Sequence, residues 1–298
     1  MALSSASSLT TDAAIRVRWT RRFGRPLRAL SNPMAILSVA WILMILAFGL
    51  VGQWIAPFDI AALDLGASFS PPSAEHWFGT DQYGRDILSR VIVGSRYALI
   101  TAVIAVAVAA PIGSLLGLLA GYYGRWLDTV IMRTIDGWLA FPSLILAMAV
   151  AAVLQPNIVT SSMAIGVAAI PWYARTVRSE TLAKRAQEYV TAAHCLGASS
   201  SRIFMRHILP NVWSPILVLI GLQIGYAILT FAGLSFIGLG AQPPTPEWGL
   251  MVTEGRQYTI AGEWWISAFP GLAIVFTVIA FNTVGDTMRD VFDPEISM

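Results

Sequence analysis

Five long runs without a charged residue constrain this sequence more than anything else in it. The gaps between Arg28 and Asp59, Arg96 and Arg125, Asp136 and Arg175, Arg206 and Glu247, and Glu263 and Asp286 hold 30, 28, 38, 40 and 22 uncharged positions. A bilayer core of about 30 Å is crossed by roughly 20 apolar residues, each rising 1.5 Å in a helix. A helix satisfies its own backbone where no water can. The third run is broken by Gln155-Pro156-Asn157, a turn-like cluster, so it reads as two helices folded back on each other. The expected spans are Met34–Ile55, Tyr97–Leu119, two within 137–174, Pro210–Ile237, and one between Glu263 and Asp286. The fold class expected is all-α, a polytopic membrane protein with six transmembrane helices.

Composition agrees. Charged residues are 12% of the chain, about half of the roughly 25% usual in soluble domains. Hydrophobic residues are 56% and mean hydropathy is +0.66. The single cysteine, Cys195, rules out an internal disulfide framework and is expected to be a small buried apolar residue. Residues 1–33 read as a basic N-terminal segment and 34–298 as one membrane domain. That domain carries an outer segment at 57–96 and an inner hairpin at 183–207. Thr20-Arg21-Arg22-Phe23 before an apolar run superficially looks like a twin-arginine export signal. The run is about twice the 7–15 residues of a cleavable core, so it reads as a retained first span.

Orientation follows from Lys/Arg asymmetry. With the N-terminus inside, the inner segments hold 15 of the 19 basic residues, and only Arg85, Arg90, Arg96 and Arg256 lie outside. Trp54 and Trp264-Trp265 fall at outer span ends and Trp126 near an inner one, as an aromatic belt places them. Each span after the first carries a proline: Pro111, Pro142, Pro171, Pro215 or Pro270.

The segment after the fourth span runs from Glu188 to Ser199 and ends at Arg206-His207-Ile208-Leu209-Pro210. Leu182, Ala186, Val190, Ala193 and Leu196 recur at helical spacing. Gly197 is a natural left-handed stop, after which Ser199, Ser200 and Ser201 can cap a second short helix. An amphipathic hairpin between spans must dock on something, either the membrane face or a partner.

This pattern resembles the EAA loop of ABC-importer permeases. Ala192, Ala193, Gly197, Leu209 and Pro210 match it, Ala198 and Ser199 follow the glycine, and the sequence departs at Thr191, where the family has Glu, and at His207. The resemblance implies a type I ABC-importer permease fold and a coupling helix seated in a separate ATPase. Two outer segments look like those of the dipeptide/oligopeptide group. The first runs through Gly79-Thr80-Asp81 and Gly84-Arg85-Asp86, the second through Gln242-Pro243-Pro244 and Glu247-Trp248. The ending Phe281–Asp286, with Arg289-Asp290 and Asp293-Pro294, is similar to the same group. Taken with no family in mind, Asp81 can cap a helix, Gly84 permits a tight turn, and Arg85 and Asp86 can pair locally. Both outer segments are open to a structural or a docking role.

The resemblance covers residues 34–294 and is to the second, C-type, permease of dipeptide, oligopeptide, glutathione or nickel-chelate importers. It implies a homologous second permease, two ABC ATPase subunits, an external substrate-binding protein and a bacterial inner membrane. The expected lateral surroundings are lipid, and no nucleic-acid partner is expected. No G-x-x-x-x-G-K-[ST] loop is present, and the one lysine, Lys184, follows Ala183. ATP and magnesium therefore belong to the partner subunits. No catalytic grouping is apparent, and the lone His76 and His194 are not at metal-ligand spacing. A secondary transporter is the rival class, but it would carry ionisable residues in its spans and inverted repeats. Reporter fusions at Gly66, Gln155 and Thr259 are expected to read outside, and those at Gly124, Ser199 and Met298 inside. A cytoplasmic signal at Thr259 would mean that one of the last two spans is miscounted.

Overall fold

The computed structural model describes residues 32–292. Nearly all of the expected N-terminal segment, and the tail with Asp293-Pro294 and Met298, lie outside the described residues. The elements are α1 (Pro33–Ile55), α2 (Ile87–Tyr123), α3 (Arg125–Leu139), α4 (Ser143–Val153), α5 (Ile158–Arg185), α6 (Glu188–Cys195), α7 (Ser200–Ile203), α8 (Leu209–Phe236), α9 (Trp248–Arg256) and α10 (Trp265–Phe292). Among the described residues there is no strand, only a bridge between Thr80 and Asp86.

Four helices are long and apolar enough to cross a membrane: α1, α2, the continuous stretch Ser200–Phe236, and α10. The expected third span is different. It is the pair α3 and α4, bent by 84°, and the 11 residues of α4 reach only about 16 Å. Pro142 sits at the break, where it pushes the preceding Phe141 out of the helical region. Arg125, Asp128, Arg133 and Asp136 make α3 amphipathic rather than apolar. The expected fourth span is α5, whose 28 residues are long enough to cross. With Thr160, Ser161 and Ser162 near its start it is more polar than the other four, and it is buried along much of its length.

Lipid-type surface is plain on α1, where Leu37, Leu43 and Leu50 are exposed. Its inward face carries Ala35, Ser38, Ile45 and Gly52, and Trp41 Nε1 donates to Thr277 Oγ1 of α10 at 3.0 Å.

The centre of the bundle is the pairing of α2 with α5. Ala98, Ala102, Ala105 and Ala109 are buried along α2, and Gly113, Gly117 and Gly121 continue the line at four-residue spacing. A Cβ on Gly117 would stand 2.5 Å from the Ala174 carbonyl oxygen, and one on Gly121 would stand 2.7 Å from Thr181 Cβ. Reciprocally, Gly166 of α5 lies against Ala105, where a Cβ would come within 2.6 Å of the backbone oxygen. Small residues let two helix backbones approach where no hydrophobic effect drives them together. Gly117→Ala is expected to destabilise the protein in detergent by about 1–3 kcal/mol, because the new methyl meets backbone that cannot yield. Gly137→Ala, on α3 with nothing within 4 Å, is expected to be neutral or to stabilise by up to about 1 kcal/mol through helix propensity. Thermal unfolding of the two variants checks the opposite signs.

Candidate functional site

The residues singled out from the sequence gather at the two ends of the bundle. At one end, residues 56–86 fold over the start of α2 and against α9 and α10, forming a clasp. Gly84 takes φ +74, and a Cβ there would collide with the Asp64 carbonyl. Gly79 takes the same φ and lies under the Trp265 ring. Asp81 does not cap a helix. Its Oδ1 accepts the Tyr83 and Arg85 amides at 2.8 and 3.0 Å, closing a local turn. Asp86 is the cap of α2, and its Oδ2 accepts from the amide and hydroxyl of Ser89, both at 2.7 Å. Its other oxygen meets His76 Nδ1 at 2.9 Å, so His76 is not alone.

Arg85 and Asp86 do not pair with each other. Arg85 Nε donates to Asp81 Oδ2 at 2.6 Å and its Nη2 to Glu254 Oε2 at 3.2 Å. Arg90, 1% exposed, shares that Glu254 oxygen at 3.5 Å. Two arginines and two carboxylates thus join the clasp to α9. Burial pushes the Glu254 carboxyl above its ordinary range, against the pull of Arg90 and Arg85. Arg90 and Glu254 were not singled out from the sequence; unpartnered charges in an apolar chain were the available signal.

The second outer segment is equally inward. Glu247 is buried and caps α9, accepting the Gly249 and Leu250 amides at 2.9 and 2.8 Å. Desolvation raises its pKa despite those bonds. Trp248 is buried, and its indole donates to the Val91 carbonyl at 3.0 Å. Trp265, expected in an aromatic belt, is buried too and donates to the Thr80 carbonyl at 3.1 Å. Gln242, Pro243 and Pro244 stay exposed. Thr80, Asp81, Arg85, Asp86, Glu247 and Trp248 are therefore internal to the clasp, whereas residues 242–244, Trp77 and Tyr83 are exposed, as are Leu63 and Leu65.

At the other end lies the hairpin. Gly197 takes φ +78, as expected, and a Cβ there meets nothing within 4 Å. Ser199 precedes α7 but its side chain makes no capping bond. The second arm is not a separate short helix. α7 passes through a π turn, Phe204–Ile208, straight into α8. The Leu209 amide reaches back five residues to the Phe204 carbonyl, and this widening carries the helix past Pro210 without the usual proline break.

The hairpin's root is firm. Val190, Ile203, Ile208 and Val212 are buried with Leu118, Tyr122 and Val177, and Ala193, Ala198 and Leu209 pack against them. Tyr122 Oη donates to the Ser200 carbonyl at 2.6 Å. The rest of the expected apolar stripe is bare: Leu182 and Ala186 are exposed, and Leu196 is 88% exposed. Thr191, Ala192, Ser199 and Pro210 are exposed as well. Cys195, expected to be buried, is also on this outer face. The stripe spreads over a break at Ala186 and Gln187, so its members do not share one helix face.

Glu254→Ala is expected to cost about 3–5 kcal/mol, because two buried guanidinium groups lose a partner. Gln257→Ala, one helical turn on and exposed, is expected to stay within about 0.5 kcal/mol of the parent. Thermal unfolding in detergent compares them.

A family model described as the binding-protein-dependent transport system inner membrane component matches residues 113–298. The N-terminal TM domain of oligopeptide transport permease C matches residues 21–72. The probable D,D-dipeptide transport system permease protein DdpC of Escherichia coli (strain K12) is 46% identical over 264 residues, covering 89% of this chain and 88% of that one. The dipeptide transport system permease protein DppC of Alkalihalophilus pseudofirmus is 41% identical, covering 89% and 87%. The glutathione transport system permease protein GsiD of Shigella sonnei is 43% identical, covering 99% and 96%. A chain of the inward-facing MetNI methionine ABC transporter superposes with a TM-score of 0.52 at 16% identity, over 69% of this chain and 94% of that one, a likeness of fold. A family match across residues 113–298, relatives above 40% identity along most of the chain, and a shared helical fold lead to one conclusion: the protein belongs to the family of inner-membrane components of binding-protein-dependent transport systems.

Proposed function

We propose that this chain is the C-type permease subunit of an ATP-driven importer of short peptides. It would pair with a homologous permease, above two ABC ATPases and beneath an external binding protein. The clasp end faces outward and the hairpin end faces the cytoplasm, with both termini inside. In favour of that orientation, Arg178, Lys184, Arg185, Arg202 and Arg206 cluster at the hairpin end. The cargo reading draws on the dipeptide and glutathione permeases to which the chain is similar; all carry small peptide-like solutes in their names.

One observation carries the proposal. The hairpin has a buried root and a bare outer face, on which Leu196 is exposed. ATP and magnesium would act in the subunits beneath, and closure of those subunits would reach the spans through Gly197 and the α7–α8 rod. The peptide would pass between the two permeases.

The purified chain is expected to show no ATPase activity. Reconstitution with the second permease and both ATPases is expected to give hydrolysis that the peptide-loaded binding protein stimulates. Hydrolysis by this subunit alone, surviving an inactive-partner control, would refute the assignment. Within the assembled complex, Gly197→Val is expected to preserve membrane insertion while uptake and stimulated hydrolysis fall together. The left-handed backbone costs a side chain about 1–2 kcal/mol, and the bulk enters the space left for a partner. Ala198→Ser is expected to be much milder. Normal transport by well-expressed Gly197→Val would reduce the hairpin to a brace.

A further inference from the structure

A cavity of about 230 Å³ opens where the clasp meets the end of α1, lined by Pro57, Phe58, Glu75, Trp77, Asp86 and Leu88. A lone water needs only about 10–15 Å³, so this space admits a small organic group. Its inner walls are fixed. The Phe58 amide donates to Ser89 Oγ at 3.0 Å, and the Phe58 and His76 ring centroids are 4.6 Å apart. Asp86, buried, is held by His76 and Ser89. Glu75 and Trp77 stand on the open side and are exposed.

Two carboxylates and two aromatic rings, with no basic residue in the lining, suit a cation. Aromatic rings attract it, and carboxylates accept its hydrogen bonds. The segment around the cavity has the same sign: Asp59 and Asp64 are exposed, while its one arginine, Arg85, is buried.

The depth of the cavity narrows the choice of cation. The 23 residues of α1 rise about 34 Å against a core of about 30 Å, so its end at Ile55 emerges among lipid headgroups. A Cβ on Gly52 would stand 3.3 Å from the Ile92 carbonyl oxygen, and one on Gly49 would stand 3.6 Å from Arg96 Cα. Continued by one turn, this antiparallel register brings Leu88, and with it the cavity, level with the end of α1. Trp54 and Ile55 in the last turn are exposed, so the cavity lies beside a lipid-facing flank.

Arg96 is exposed and, among the described residues, has no ion pair. Level with Gly49, it sits about 9 Å inside the end of α1. Side chains lean toward a helix N-terminus, which for α2 is the clasp end, and a long arginine stem carries its head to the interface. From water inward the order is therefore carboxylates, then guanidinium. A phospholipid whose head ends in an ammonium has the matching order: ammonium outermost, phosphate next, chains below. A basic side chain of an external protein would answer the carboxylates and leave Arg96 without a partner.

We propose that the clasp cavity holds the ammonium of an aminophospholipid, with Arg96 on its phosphate and its chains beside α1. The bound head joins the end of α1 to the clasp and to the start of α2. This assignment rests on the spans alone and not on the cargo.

The test uses the full chain, delipidated in detergent, and counts retained lipid by native mass spectrometry. The probes are dimyristoyl phosphatidylethanolamine and dimyristoyl phosphatidylglycerol, which share chains and phosphate and differ in the ammonium. The parent is expected to retain one ethanolamine lipid about 5-fold or more tightly than the glycerol lipid. Glu75→Gln and Trp77→Ala, both at exposed positions, are expected to cut that preference to below about 2-fold without changing thermal unfolding in the absence of lipid. Arg96→Gln is expected to weaken both lipids alike. Equal retention by the parent, a preference that survives Glu75→Gln, or parent-like binding of both lipids by Arg96→Gln would each overturn the site. If Glu75→Gln instead weakened only the docking of an external binding protein, the cavity would belong to that protein and the lipid assignment would fall.

Discussion

Everything in this bundle hangs on how closely α2 and α5 approach. In a bilayer, burying a leucine against a neighbour gains little over leaving it in lipid, so helices must find another reason to associate. The line of small residues on α2 supplies one: with side chains reduced to a methyl or a hydrogen, backbone meets backbone from Ala105 to Gly121. Dispersion over so long a contact accumulates from many small terms. Because the central pair is that tight, the remaining helices can be looser. α1 keeps most of its side chains toward lipid, and α4 can be short and tilted because α5 supports it.

The two ends of the bundle use different physics. The clasp is closed on itself, with its carboxylates taken by amides, hydroxyls and guanidinium groups and its tryptophans donating inward. A network of this kind is costly if any member is lost and rigid when complete. The hairpin is held only at its root and leaves apolar side chains uncovered. One end is closed within the chain, whereas the other leaves Leu182 and Leu196 exposed.

Much of this was legible from residue order. Uncharged runs located α1, α8 and α10, because a stretch that avoids charge over 20 residues has few alternatives to a membrane helix. Gly197 announced its left-handed turn, because an amphipathic pattern stops there. The rest was hidden for identifiable reasons. Charge gaps cannot show that α2 starts at Ile87, since Arg90 is charged yet inside, neutralised by Glu254 from a segment more than 160 residues away. They also cannot separate two spans from a bent pair, because Phe141-Pro142 is as apolar as its neighbours. The turn at Phe204–Ile208 was unreadable because a π turn has no composition of its own. The seam on α2 could have been read from glycines at every fourth position, a pattern that charge counting passes over.

That π turn has a mechanical consequence. By letting the helix run on past Pro210, it fuses the hairpin's second arm to the span that follows, so that Ser200–Phe236 is one body of 37 residues. A rod of that length measures roughly 55 Å. Pivoted near its base, such a rod turns a tilt of about 10° into a sweep of about 10 Å at its far tip. A small displacement near the hairpin is thereby a large one near the clasp, and gearing of that sort needs no separate hinge between them.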